Sequence, residues 1–150
     1  MPEILRFSDA ASLAFHAMAY LARTPQDHQT VGHVAGLLQC SEAHLSKVMQ
    51  RLQRAGLVRS TRGPKGGYRL ERPAEDITLL NVFEIVEGPL NGATCLLETP
   101  VCQTDACILG DLLIRLNRQI DEYLSQTTLS QLASVYDTPQ THTKCRHHAS

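Results

Sequence analysis

No stretch of this 150-residue chain approaches the roughly eighteen apolar residues that a membrane span needs. The first residues also lack a basic-then-apolar signal sequence. Together these absences lead us to expect a cytoplasmic protein with no membrane partner. Cysteine is scarce and odd in number, five in all. In a reducing compartment that count argues against a disulfide scaffold and leaves metal ligation, thiol chemistry or burial. Zinc-finger C-x2-C pairs and the ferredoxin cysteine pattern are missing. A Gly-rich phosphate loop, a Ser-His-Asp arrangement and paired acids are missing too, so neither an enzyme nor a small-molecule substrate is expected.

Acidic residues are nearly absent from one part of the chain. Residues 44 to 72 hold eight Lys and Arg against a single acid, Glu71, whereas residues 73 to 137 hold ten acids against Arg115 and Arg118. The net charge of −1 conceals this division. A basic head on an acidic body is oriented as well as attracted by a phosphate backbone, because the body is repelled by what draws the head. A solvated charged face is the plainer alternative. The composition, 43% apolar and 19% charged, is ordinary for one soluble core.

What fills the basic part is patterned. Ser41 is placed to cap a helix in which Leu45, Val48, Met49 and Leu52 fall on one face. His44, Ser46, Lys47, Gln50, Arg51 and Arg54 then project outward, and Gly56 ends the helix. Leu57 to Ser60 reads as a strand and Tyr68-Arg69-Leu70 as its return. Between them Arg62-Gly63-Pro64-Lys65-Gly66-Gly67 forms a tight basic loop. Helix, strand, loop, strand predicts a winged helix-turn-helix, mainly α with a small β wing. Its partner would be double-stranded DNA. A major groove admits the helix, with Ser41, His44, Ser46, Lys47, Gln50 and Arg51 in reach, while Arg62, Gly63, Pro64 and Lys65 of the wing face phosphates or the minor groove.

Ahead of this head, residues 8 to 24 predict a first helix, with Leu13, Ala14, Ala17, Met18 and Leu21 on one face. His16 in it reads as a structural histidine. Thr30 caps a short helix, Val31 to Leu38, and Cys40 in the following turn reads as core. Thr78 caps another helix through Val86. Residues 88 to 107 then break all periodicity. From Ile108 to Leu124 an amphipathic helix returns, with Leu109, Leu112, Leu113, Leu116, Ile120, Tyr123 and Leu124 in a near-heptad stripe. Packing against its own domain is the plainer alternative, but because the winged helix is complete by Leu70, this long helix is expected to pair with its copy in a homodimer, Leu109, Leu112, Leu113, Leu116 and Ile120 forming the seam. The chain thus divides into a DNA-binding domain (1–87), a cysteine loop (88–107), a dimerisation and closing-helix segment (108–136) and a polar tail (137–150). The tail holds His142, Cys145, His147 and His148 and reads as a solvated tail, not a metal-binding tract.

The wing Arg62-Gly63-Pro64-x-Gly66-Gly67-Tyr68-Arg69-Leu70, the following Ile77-Thr78-Leu79 and the three cysteines Cys95, Cys102 and Cys107 together resemble the Rrf-type (BadM-type) family of bacterial winged-helix regulators, over roughly residues 4 to 136. The resemblance implies a transcriptional regulator with a dimer helix. It also gives the cysteines a meaning. Thiolates are soft anionic donors, and an irregular segment can converge three of them around a cluster where one helix face could not. Members of the family that hold an iron-sulfur cluster carry three cysteines at this place.

A four-iron, four-sulfur cluster, favoured over a two-iron one and present once per subunit, would still need a fourth ligand. The IscR branch uses a His three residues after the last Cys, where this chain has Gly110. The NsrR branch uses an Asp early in the first helix, supplied by the other subunit in the setting Phe-Thr-Asp; here stands Phe7-Ser8-Asp9. The resemblance thus points to Asp9 across the dimer, and to redox, nitric oxide or iron status as the signal. A helix N-terminal acid is the plain reading of Asp9, and His16, Glu98 and Asp105 are weaker ligand candidates. Two other functions stay open. One is a cluster-free regulator of the same type using its thiols for disulfide switching or zinc. The other is an iron-sulfur electron carrier or scaffold, for which the basic wing would have no use.

Overall fold

In a computed structural model, residues 7–90, 92, 94–97, 99–102 and 107–136 are described. The tail with His142, Cys145, His147 and His148, and the candidates Glu98 and Asp105, lie outside the described residues. The first helix, α1 (Asp9–Arg23), starts where Ser8 accepts a hydrogen bond from the Ala11 N–H and ends ahead of Pro25. Its buried face is built largely from alanines: Ala11, Ala14, Ala17 and Ala22, with Met18 and Leu21. Small side chains let several partners approach one helix closely. The recognition helix, the helix after the wing and the closing helix all pack on α1.

Helix α2 (Val31–Leu38) is capped by Thr30, which accepts from the His33 N–H at 3.1 Å. It closes with Gln39 in the left-handed region, φ 53°. That turn leads to Ser41, the cap of α3 (Glu42–Arg54). On α3 the residues Leu45, Val48, Met49 and Leu52 are all 3% exposed or less. Burying each such side chain contributes about 1.5–3 kcal/mol, so this apolar face seats the helix while its polar face remains outside. Cys40 is half-buried against the core, as its small apolar character suggests.

Strands β1 (Val58–Thr61) and β2 (Gly67–Leu70) pair antiparallel, Val58 opposite Leu70 and Thr61 opposite Gly67. The first strand starts one residue later than the sequence pattern suggests. Leu57 is instead a buried link, 1% exposed, with its N–H bonded to the Leu52 carbonyl. A short third rung also joins the sheet: Gln29 and Tyr68 exchange both backbone hydrogen bonds, at 2.9 and 2.8 Å. The wing is therefore tied to the residue just before the α2 cap.

After a 3-10 turn (Ala74–Asp76) comes α4 (Leu79–Glu87), opened by a reciprocal capping box between Thr78 and Asn81. Helix α5 (Leu112–Gln126) starts four residues later than the periodicity predicts. Gly110 takes a left-handed φ of +57°, and its N–H closes a turn onto the Cys107 carbonyl at 2.9 Å. Ile108 and Leu109 therefore lie in that turn, outside the helix. The closing segment is α6 (Leu129–Leu132) followed by a 3-10 turn (Ala133–Tyr136). A backbone bridge between Thr78 and Thr128 fastens it to the start of α4. Tyr136 donates to the His16 carbonyl and stacks edge-on against Tyr20; burial, then Tyr20, pushes its phenol above the ordinary value. One buried cluster runs from Ala11 in α1 to Leu129 in α6.

Candidate nucleic-acid interface and cysteine segment

The polar face of α3 is less uniform than its periodicity suggests. Lys47 and Gln50 are exposed, as is Arg54 nearer the end. Ser41 is exposed too, but its hydroxyl accepts from the His44 N–H at 3.3 Å and so serves as the cap. His44 and Ser46 are half-buried. Arg51 is exposed, as Lys47 and Gln50 are. Its guanidinium is nevertheless engaged: Nη2 donates to the Ile85 and Val86 carbonyls at 3.1 and 2.7 Å. An outward helical position says nothing about such a tertiary partner, which here is the last turn of α4.

All four wing candidates, Arg62, Gly63, Pro64 and Lys65, are exposed at the tip. Behind them two glycines close the loop. A Cβ on Gly66 would lie 2.1 Å from the Thr61 carbonyl oxygen, so no side chain fits there. Further down, Arg59 and Arg69 stand directly opposite each other across the strands. Glu71 offsets that repulsion with an ion pair to Arg59 at 3.6 Å. The sequence pattern does not single out this pair. The strand register that makes them neighbours is legible only once the loop length is known.

Cys95, Cys102 and Cys107 are free thiols, Cys95 half-buried and the other two exposed. They lie in irregular chain between α4 and α5. The Cys95 sulfur accepts a long hydrogen bond, 3.5 Å, from the Leu97 N–H. Among the described residues no three His, Cys, Asp or Glu side chains already converge on one point. As chemistry the donor set suits iron: three thiols, unpaired and free to become anionic soft ligands. The segment is anchored at its start, since Gly92 packs so close to Asn117 of α5 that a Cβ would fall 2.1 Å from the side chain.

Asp9 is exposed in the first turn of α1. The preceding Ser8 hydroxyl donates to the Glu87 carboxylate at the end of α4, so the start of α1 sits beside the point where the cysteine segment begins. His16 uses Nδ1 to donate to the Ser12 carbonyl at 2.7 Å, the satisfied role its sequence setting suggests.

The stripe on α5 divides in two. Leu113 is 2% exposed and Leu124 4%, both buried within the chain itself. Leu112 and Tyr123 remain 40% and 62% exposed. Leu116 and Ile120, half-buried, line an apolar groove of about 480 Å³ between α1 and α5, together with Phe7 and Phe15. Leu109 is half-buried in the turn before the helix.

A basic helix-turn-helix with a two-stranded wing, carried on a helical body, defines a winged-helix transcriptional regulator. Residues 7–135 match the Rrf2 family, described as iron-dependent transcriptional regulators, and the chain belongs to that family. It is 31% identical over 135 residues to Protein aau3 of Rhizobium meliloti, covering 87% of this chain and 86% of that one. To the transcriptional regulator CymR of Bacillus subtilis it is 34% identical over 100 residues, 67% of this chain and 68% of CymR. The solved structure of that protein, the global cysteine regulator of B. subtilis, superposes with a TM-score of 0.75 at 29% identity, covering 87% of this chain and 98% of that one. The structure of T. potens IscR superposes with a TM-score of 0.67 at 24% identity, covering 89% and 90%, which shows the shared fold. The family consists of transcriptional regulators, not enzymes, and no described helix is long and apolar enough to cross a membrane.

Proposed function

We propose that the protein acts as a homodimer on a double-stranded DNA operator and reports redox, nitric oxide or iron status through an iron-sulfur cluster held by Cys95, Cys102 and Cys107. The observation that carries this reading is the coexistence, in one family member, of an exposed basic set on α3 and the wing with three free thiols in the irregular segment between α4 and α5. Lys47, Arg62 and Lys65 serve as phosphate contacts, and Gln50 as a base-reading side chain. Second-copy contact falls on Leu112, Leu116, Ile120 and Tyr123, the outer part of the stripe. The apolar groove beside them supports a helix seated there.

Three thiolates leave one position for the weaker carboxylate of Asp9, supplied from the other subunit. A four-iron, four-sulfur cluster held by Cys95, Cys102, Cys107 and such a carboxylate would supply an iron more weakly bound than the thiolate-held ones and so open to nitric oxide or oxygen. The residues of this chain do the rest. They hold the segment against Asn117 through Gly92, set the start of α5, and so fix how two reading heads face half-sites about 34 Å apart. DNA affinity measured on anaerobic cluster-loaded protein and on the same protein after iron removal tests the reading. A difference of tenfold or more on a selected duplex supports it; equal affinities reject it.

A second reading rests on the exposure of two free thiols, Cys102 and Cys107. Exposed Cys102 and Cys107 would then act as thiols, passing two electrons to a peroxide-class oxidant as they join in a disulfide. Mass analysis of the oxidised chain separates the two readings.

A further inference from the structure

The end of α4 is short of donors. A helix leaves its last carbonyls without partners inside the helix, and here Glu84 is served by the Gly88 N–H at 3.0 Å. The next carbonyl, Ile85, would look to residue 89. That residue is Pro89, which has no N–H to give. Arg51 fills the gap, its guanidinium donating to Ile85 and Val86 together. A cation is well placed there, because the carbonyl end of a helix carries partial negative charge.

Three elements therefore meet on one turn. Arg51 comes from the recognition helix, Ser8 from the start of α1 by its bond to Glu87, and the cysteine segment leaves through Gly88, whose φ of +91° turns the chain out of the helix. Arg51 is one residue from Gln50 and one helical turn from Lys47, both exposed on the reading face. We propose that Arg51 is a positioning residue, the link by which the segment leaving α4 sets the orientation of the recognition helix, and not a DNA contact. Pull on Gly88 or release of it changes where the Ile85 and Val86 carbonyls lie, and the rigid guanidinium, bridging them through Nη2, passes that change to α3. A lysine in its place keeps the charge but carries its donors on a compact ammonium at the end of a flexible stem, which does not fix one nitrogen between the two carbonyls as the rigid guanidinium plane does. The inference rests on reading the cysteine segment as the sensor.

The test uses the full-length protein, a duplex selected by the wild type from a random pool, and an unrelated duplex of equal length, titrated at several salt concentrations. Wild type, Arg51→Lys, Arg51→Gln and Lys47→Ala are compared, cluster-loaded and cluster-free with thiols reduced. Arg51→Lys should bind the selected duplex at least tenfold more weakly while its affinity for the unrelated duplex and its salt slope stay at wild-type values. The ratio between the two cluster states should fall toward one. Lys47→Ala should show the reverse: a slope smaller by about one unit and an unchanged ratio. Amide exchange of Gly88 and Leu90 in cluster-free protein gives a readout independent of DNA and of iron, and should quicken in both Arg51 variants. Wild-type binding by Arg51→Lys, or a parallel loss of specific and unrelated affinity with one unit of slope in Arg51→Gln, overturns the proposal. If the wild type binds equally in both cluster states, the sensing reading fails, whereas the split between the two duplexes in cluster-free protein still decides the role of Arg51.

Discussion

Gly67 lies so near Gln29 that a Cβ on the glycine would come within 2.6 Å of the Gln29 carbonyl carbon and oxygen, and its φ of +143° is one that side chains rarely adopt. Beside it, Tyr68 and Gln29 exchange two backbone hydrogen bonds. This contact holds the wing at a fixed angle to the helix-turn-helix. Gly67→Ala should therefore cost about 1–3 kcal/mol from backbone strain alone and weaken binding to a selected duplex. Chemical denaturation and a DNA titration check both effects; a wild-type midpoint would mean that the wing yields without penalty.

Charge removal at the reading head has a distinct signature. Lys47→Ala, Arg62→Ala and Lys65→Ala should each weaken specific and unrelated duplexes alike and reduce the salt slope by about 0.9. Gln50→Ala should leave the slope alone and change the sequence selected from a random pool. Unchanged slopes in all three basic variants would remove the basic head from the account.

The divided stripe of α5 lets folding and the proposed assembly be tested apart. Leu113 is buried within its own subunit, so Leu113→Asp should cost several kcal/mol and lower the melting point sharply. Leu116→Asp and Tyr123→Asp, on the outer part, should leave the subunit folded and part the dimer. Circular dichroism and sedimentation velocity read the two effects separately. Dimers of wild-type mass in both outer variants would place the seam elsewhere.

The division of the α5 stripe shows what is legible ahead of the fold. Helix caps at Thr30, Ser41 and Thr78 are readable because a cap is a contact between residues three apart. The winged helix followed from those caps and from the glycines of the wing. Periodicity shows that Leu112, Leu113 and Leu116 share a helix. It cannot apportion them between the subunit's own core and a second copy. It also carried the predicted helix through Ile108 and Leu109, whose apolar spacing fits, although the left-handed Gly110 interrupts it. The bond from Arg51 to the end of α4 is hidden from the sequence for a related reason: being outward on one helix does not reveal the end of another helix waiting there.

Asp9 is tested by complementation. Asp9→Ala should let a cluster assemble but become more labile to chelators, since water or a small thiol can take the place of a carboxylate. In mixed dimers with Cys102→Ala on one subunit and Asp9→Ala on the other, ligation across the dimer predicts one cluster of wild-type lability. A cluster as labile as that of the Asp9→Ala homodimer would assign the residue to its own subunit instead.

The most direct measurement is the iron and acid-labile sulfide content of anaerobically purified protein, counted per chain beside the Cys102→Ala variant. About four of each are expected in the wild type and almost none in Cys102→Ala. Stoichiometric zinc, or a wild-type protein free of metal that still binds its selected duplex, would contradict it.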